Sequence, residues 1–136
     1  MNSATCFRTT IAPCHGWVHV RVIGGGLHLH MFQRSGDVPV GVPANMIQYA
    51  ALLLMLEQLT GIPAVAYYHT ISDAHVYENQ RDAVAAMAGR EPRRLPTVQI
   101  TEDGRKVTDI HEFRAEHFEV SDYDPHPAIS SIPVSP

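Results

Sequence analysis

The segment from Asn45 to Leu59 constrains the fold of this chain more than any other. Met46, Ile47, Ala50, Leu52, Leu53, Leu54, Met55, Leu56 and Leu59 spread over nearly every face of a helical wheel. A helix apolar all round is stable only when surrounded, so the sequence predicts a long, buried central helix. Pro43 suits its first turn, where a missing N–H costs nothing. Gly61 followed by Pro63 marks its end. The run is too short to cross a bilayer and carries Glu57, which excludes a membrane as the surrounding medium. Met1 to Thr10 has neither the charged nor the apolar stretch of a secretory signal.

Around this helix the pattern alternates. His15 to Ile23 and Leu27 to Ser35 are extended runs joined by Gly24-Gly25-Gly26, a β-hairpin. Ala64 to Ile71 reads as a buried strand and Glu78 to Ala88 as a helix ending near Gly89. Thr97 to Ile100 and Phe118 to Val120 are short strands, with a turn at Asp103-Gly104. The tail from Asp124 is rich in proline and is expected to wrap the body as irregular chain. Residues 1–136 make one α+β domain, an α/β/α sandwich-like arrangement of a mixed sheet about the central helix.

The chain has ten basic and fourteen acidic residues and a formal net charge of −4. A surface tracking nucleic acid needs a basic excess, so nucleic acid is excluded as a bulk partner. Two cysteines, Cys6 and Cys14, are too few for a disulfide framework and read as free thiols in the reducing cytoplasm. Nine histidines raise the question of a metal. His28 and His30 stand two apart with Cys14-His15 nearby, but the paired spacings of zinc sites are missing, so the expectation is no metal.

Four clusters carry chemistry. In Pro13-Cys14-His15 the thiol is either a small buried hydrophobe or a nucleophile, which requires a cation or base beside it. Gln33-Arg34-Ser35-Gly36-Asp37 places a forked cation, a hydroxyl and a carboxylate at a strand end. Arg34 and Ser35 suit a phosphate, and an internal ion pair is the alternative. In Gly41-Val42-Pro43-Ala44-Asn45 the asparagine is either a helix cap or an amide aimed at a base edge. In Asp73-Ala74-His75-Val76-Tyr77 an extended backbone puts Asp73, His75 and Tyr77 on one face, suited to binding a hydroxyl.

In this order, PCH, QRSGD, GVPAN, HTISDAHVYEN, REP, FE followed by YDPHP, and a terminal PV resemble the thymidylate synthase family over about Ile11 to Val134. The resemblance is to the C-terminal half of such enzymes, whose members are about twice this length. It implies reductive methylation of deoxyuridine monophosphate at C5 with 5,10-methylenetetrahydrofolate as cosubstrate, giving thymidylate and dihydrofolate.

By that resemblance Cys14 would add to C6 of the uracil ring, making C5 nucleophilic and dividing one hard step into easier ones. Arg34 would bind the nucleotide phosphate with its charge beside the thiolate, Ser35 would add a contact, and Gln33 would support the strand. Asn45 would read uracil, accepting from N3–H and donating to O4. His75 and Tyr77 would hold the 3′-hydroxyl, and His15 would join the network around the base. Asp37 would bind the pterin of the folate, with Val40, Gly41 and Val134 lining that pocket. The resemblance also implies a homodimer through the hairpin sheet.

The departures are specific. Further phosphate arginines, two of them from a dimer partner, the proton-handling glutamate, and the tryptophan and asparagine that place the folate belong to the absent half. Arg8 and Arg21 match none of these by motif. Ser72 stands where a glycine is usual, Ala44 where a phenylalanine is usual, and a terminal proline where an aliphatic residue helps close a lid. Two readings stand beside methylation. One is a pyrimidine nucleotide hydroxymethylase, which typically carries aspartate at the Asn45 position. The other is a truncated relative that folds or dimerises without turnover.

Overall fold

The computed structural model describes residues 13–130 and 132–134; Cys6, Arg8 and the terminal Ser135-Pro136 lie outside the described residues. The elements run β1 (Trp17–Ile23), β2 (Gly26–Asp37), α1 (Gly41–Thr60), β3 (Ala64–His75), α2 (Arg81–Ala88), β4 (Thr97–Ile100) and β5 (Phe118–Ser121), with short 3-10 turns between them.

β1 and β2 form the expected hairpin, with Ile23 opposite Gly26 and Trp17 opposite Phe32. Its two turn residues, Gly24 and Gly25, have φ of 60° and 84°. Positive φ at both positions matches the twist of the flanking strands and is easy only for glycine. β2 then pairs with β3 in parallel, with α1 as the crossover, so the sheet is mixed and ordered β1-β2-β3. β4 and β5 make a separate antiparallel ribbon.

Alternation along β2 puts Leu27, Leu29 and Met31 inward, where they pack with Leu53 of α1 as the core. Val18, Tyr49, Leu52, Leu56, Ile62, Ala64 and Tyr67 surround it. Gly61 ends α1 in the left-handed region, its N–H on the Glu57 carbonyl. The Glu57 carboxylate accepts from the Ala64 N–H at 3.1 Å, which explains an acid inside an apolar run.

Three expectations need correction. The central helix is half-buried: within α1 only Val42 and Leu53 are buried, and Ile47 is 71% exposed. One face of α1 rests on β2 and β3. Toward the β4–β5 ribbon it leaves an open apolar groove of about 350 Å³, lined by Ile47, Ala50, Leu54, Val98, Phe118 and Val120. The arrangement around the main sheet is two-layered, not an α/β/α sandwich, because Trp17, Phe32 and Tyr68 lie exposed on the outer face. β3 is longer than expected and has no fully buried residue, since α1 covers only its inner side.

The proline-rich tail is tied down by the REP and YDPHP segments. Arg93 donates to the Asp124 carboxylate at 2.8 Å and to the Asp124 and Pro125 carbonyls. The His126 Nε2 lies 2.9 Å from the Glu91 carbonyl. Among the described residues no helix is long and apolar enough to cross a membrane.

Candidate functional site

The inward row of β2 changes character at its C-terminal end. After Leu27, Leu29 and Met31 the next inward side chain is Gln33, which is 2% exposed. A buried amide must find partners for its oxygen and both hydrogens. Gln33 donates to the Ser35 carbonyl at 2.9 Å and to Asn45 Oδ1 at 3.0 Å, while His69 Nε2 lies 2.9 Å from its Oε1. Gly36 makes room for this, since a Cβ there would come within 2.8 Å of Val42 and 3.1 Å of the Gln33 nitrogen.

The orientation of these groups follows from one atom. A backbone carbonyl only accepts, so the Gln33 nitrogen faces Ser35. Its other hydrogen points at Asn45, whose facing atom is therefore oxygen. The Gln33 oxygen is left toward His69, so Nε2 of that ring carries a hydrogen. The Asn45 nitrogen donates to Gln48 Oε1 at 3.4 Å and keeps a second hydrogen. Asn45 is not the helix cap; that position is Val40, and Asn45 lies in the second turn.

Beside Asn45, one helical turn on, stands Tyr49. Its hydroxyl is 2.8 Å from His15 Nδ1 and their rings meet edge to face. Burial raises the Tyr49 phenol above its ordinary value. Tyr67 is pushed up to about 12, by burial first and by Tyr49 second, and its hydroxyl is buried with no hydrogen-bond partner. His69 is held below the ordinary histidine value by burial and then by His15, which favours its neutral ring. His15, Gln33, Asn45, Tyr49, Tyr67 and His69 thus form one polar patch beside the core.

Cys14 lies at the edge of this patch as a free, half-buried thiol. Its carbonyl accepts from the Arg34 N–H at 2.9 Å, fixing the cysteine against the end of β2. Strand alternation gives the exposed Arg34 the opposite face from Gln33 and Ser35. The Ser35 hydroxyl donates to Asp73 Oδ2 at 3.3 Å.

The second group gathers where β3 ends. His75 Nδ1 stands 3.5 Å from Asp73 Oδ2, and it is buried with no hydrogen-bond partner. The His75 and Tyr77 rings lie 5.1 Å apart, so Asp73, His75 and Tyr77 do share a face. Asp37 pairs with His75 across the strands. Asp37 Oδ2 accepts from Gln80 at 3.0 Å, and its Oδ1 is buried without a partner. Val40 and Gly41 follow at the start of α1, both half-buried, and Val134 is 74% exposed.

The residues missed by sequence reasoning are Tyr49, Tyr67, His69, Gln48 and Gln80. Tyr49 was readable as the i+4 neighbour of Asn45. Tyr67 and His69 sit two apart on the strand that leads to Asp73. Gln48 and Gln80 gave no comparable signal. Among the described residues no group of three or more histidines, cysteines or carboxylates is disposed to hold a metal. Instead, His28 lies beside the Tyr68 hydroxyl, and His30 is 2.7 Å from that of Thr70.

What the site offers is a free thiol held by its backbone against the end of β2, an oriented amide at Asn45, and buried polar atoms without partners at Asp37, Tyr67 and His75. Compared with known families, residues 2–135 match the model of the family described as thymidylate synthase.

Proposed function

The chain belongs to the thymidylate synthase family, enzymes that transfer a one-carbon unit to a pyrimidine nucleotide, and on that premise we propose that it carries the nucleophile and base-reading part of deoxyuridylate methylation. Cys14 adds to C6 of the uracil ring. The electron pair displaced onto C5 and O4 lets C5 attack the methylene carbon of 5,10-methylenetetrahydrofolate. The methylene leaves one folate nitrogen as it bonds C5, loss of the C5 proton expels the other nitrogen to leave an exocyclic methylene, and hydride from the folate to that carbon expels Cys14 from C6, giving thymidylate and dihydrofolate. Arg34 and Ser35 hold the phosphate, His75 and Tyr77 the 3′-hydroxyl, His15 the network around the base, and Asp37 the folate with Val40, Gly41 and Val134. For Ser35 this requires its hydroxyl to turn from Asp73, and for Arg34 its guanidinium to reach round the end of β2 from the opposite face.

The observation that carries the choice of base is the fixed amide of Asn45. With Oδ1 on the Gln33 side and Nδ2 on the other, Asn45 presents one acceptor and one donor in a set order. Uracil offers the matching N3–H and O4. Cytosine offers the reverse, a bare N3 and an amine. Serving it would require a flip that sets the Asn45 nitrogen against the Gln33 nitrogen, leaving two donors face to face. This favours uracil over the cytosine nucleotide of a hydroxymethylase.

The groups that the resemblance places ahead of Pro13 set what these residues do alone. Each charge-assisted phosphate contact contributes about 1.5–3 kcal/mol. Without several of them, deoxyuridylate binding should be weakened by more than about a hundredfold. Calorimetry is expected to find weak binding, and a dihydrofolate absorbance assay no turnover by residues 1–136 until those groups are supplied. Full turnover by these residues alone would show that those groups are not needed.

The outer sheet face bears on assembly. Trp17, Phe32 and Tyr68 lie there uncovered, with Trp17 and Phe32 edge to face. Such a face is most simply buried against a second copy, giving a twofold dimer in the cytoplasm. Light scattering at micromolar protein is expected to show twice the chain mass. A well-folded monomer at high concentration would rule the dimer out.

A further inference from the structure

Gln80 is fully buried, and every hydrogen-bonding atom of its side chain is used. Its Oε1 accepts from the Tyr77 N–H at 3.0 Å, and its Nε2 donates to Asp37 Oδ2 at 3.0 Å and to the Pro133 carbonyl at 2.9 Å. The backbone partners leave no freedom of assignment: an N–H only donates and a carbonyl only accepts. One amide therefore joins three separate parts of the chain, namely the turn after β3, the end of β2 and the C-terminal tail.

The fourth participant is the other oxygen of Asp37. Oδ1 is buried and has no partner. A buried carboxylate oxygen without a donor is costly, and the cost is removed when a ligand brings an N–H to it. Because Oδ2 is held by the same nitrogen that holds Pro133, any ligand seated on Oδ1 meets a carboxylate whose position depends on the tail.

We propose that Gln80 is a positioning residue that ties the tail segment at Pro133 to the Asp37 carboxylate, so that tail docking and binding of an N–H-bearing ring at Asp37 reinforce one another. The identity of that ring as a reduced pterin rests on the function proposed above. The tie itself does not, because it exists in the chain with no ligand. Coupling of this kind is reciprocal: the ligand steadies the tail by the factor by which the tail steadies the ligand.

Three measurements on the full chain test this. In the wild type, side-chain NMR should show both Gln80 amide hydrogens protected from exchange; exchange at the rate of a free amide overturns the tie. In Gln80→Met, and in Gln80→Glu, which keeps the acceptor for Tyr77, amide hydrogen exchange at 132 and 134 should quicken about five- to tenfold with β2 unchanged. Unchanged tail exchange in whichever variant keeps wild-type exchange in β2 overturns the tie. Finally, millimolar tetrahydrofolate should slow tail exchange in the wild type and not in Gln80→Glu. Equal slowing in both overturns the coupling. If tetrahydrofolate fails to bind the wild type, the pterin assignment falls, while the ligand-free measurements still decide on the tie.

Discussion

Replacing Asn45 by aspartate is expected to invert the nucleotide preference, with deoxyuridylate binding falling by about one to two powers of ten and deoxycytidylate overtaking it. The Gln33 nitrogen has no other place to go, because the Ser35 carbonyl fixes its direction. It would therefore donate to one oxygen of the new carboxylate, turning the other oxygen toward the base. An aspartate oxygen facing uracil O4 sets acceptor against acceptor, and an unmet buried polar group costs about 1–3 kcal/mol. This one mismatched contact amounts to about one to two powers of ten in affinity. Cytosine removes the clash: its amine donates to the carboxylate, and a protonated carboxyl donates to N3. Competitive titration of the two nucleotides against wild type and variant reads the ratio directly. An unchanged ratio would mean that Asn45 does not read the base.

The second large effect is on stability. Gln33→Leu keeps the volume of a buried side chain and removes its hydrogen bonds. The Ser35 carbonyl, the Asn45 oxygen and the His69 nitrogen would be left with a methyl group as neighbour. Unsatisfied buried groups cost about 1–3 kcal/mol each, and partial access to water should hold the total to roughly 2–5 kcal/mol. Urea unfolding should show the midpoint falling at constant slope. The same variant frees Asn45 to flip, so discrimination between the two nucleotides should narrow. A loss below about 1 kcal/mol would show that the amide is not the hub of this patch.

The fold was legible where local chemistry decided it. Gly24-Gly25 dictated the hairpin turn, Gly61 the end of α1, and the apolar run its body. The burial of that helix was not legible, because an all-round apolar pattern says what the helix needs and not what covers it. Here β2 and β3 cover one side, and the groove toward Phe118 and Val120 stays open. The candidate site divides in the same way. Asp73, His75 and Tyr77 follow from the two-residue period of a strand, and the structure keeps them on one face. Gln33 was read as support for its strand, and its position as a buried hub emerged only when β2, α1 and β3 were brought together. Tyr67 and Gln80 belong to the same class: their importance lies in contacts across 18 to 53 positions of sequence that no local pattern encodes.

The account stands or falls on Cys14 as the nucleophile toward a uracil nucleotide. Once C5 of 5-fluorodeoxyuridylate has bonded the methylene of the folate, that carbon carries fluorine and no proton to lose, so the thiolate that attacked C6 stays attached. Intact-mass spectrometry of the chain after prolonged incubation with this nucleotide and 5,10-methylenetetrahydrofolate should show one added nucleotide and one folate per chain, mapped to Cys14, surviving denaturation and missing in Cys14→Ser. A chain that stays unmodified, or a Cys14→Ser variant that still gains the nucleotide, would contradict the account.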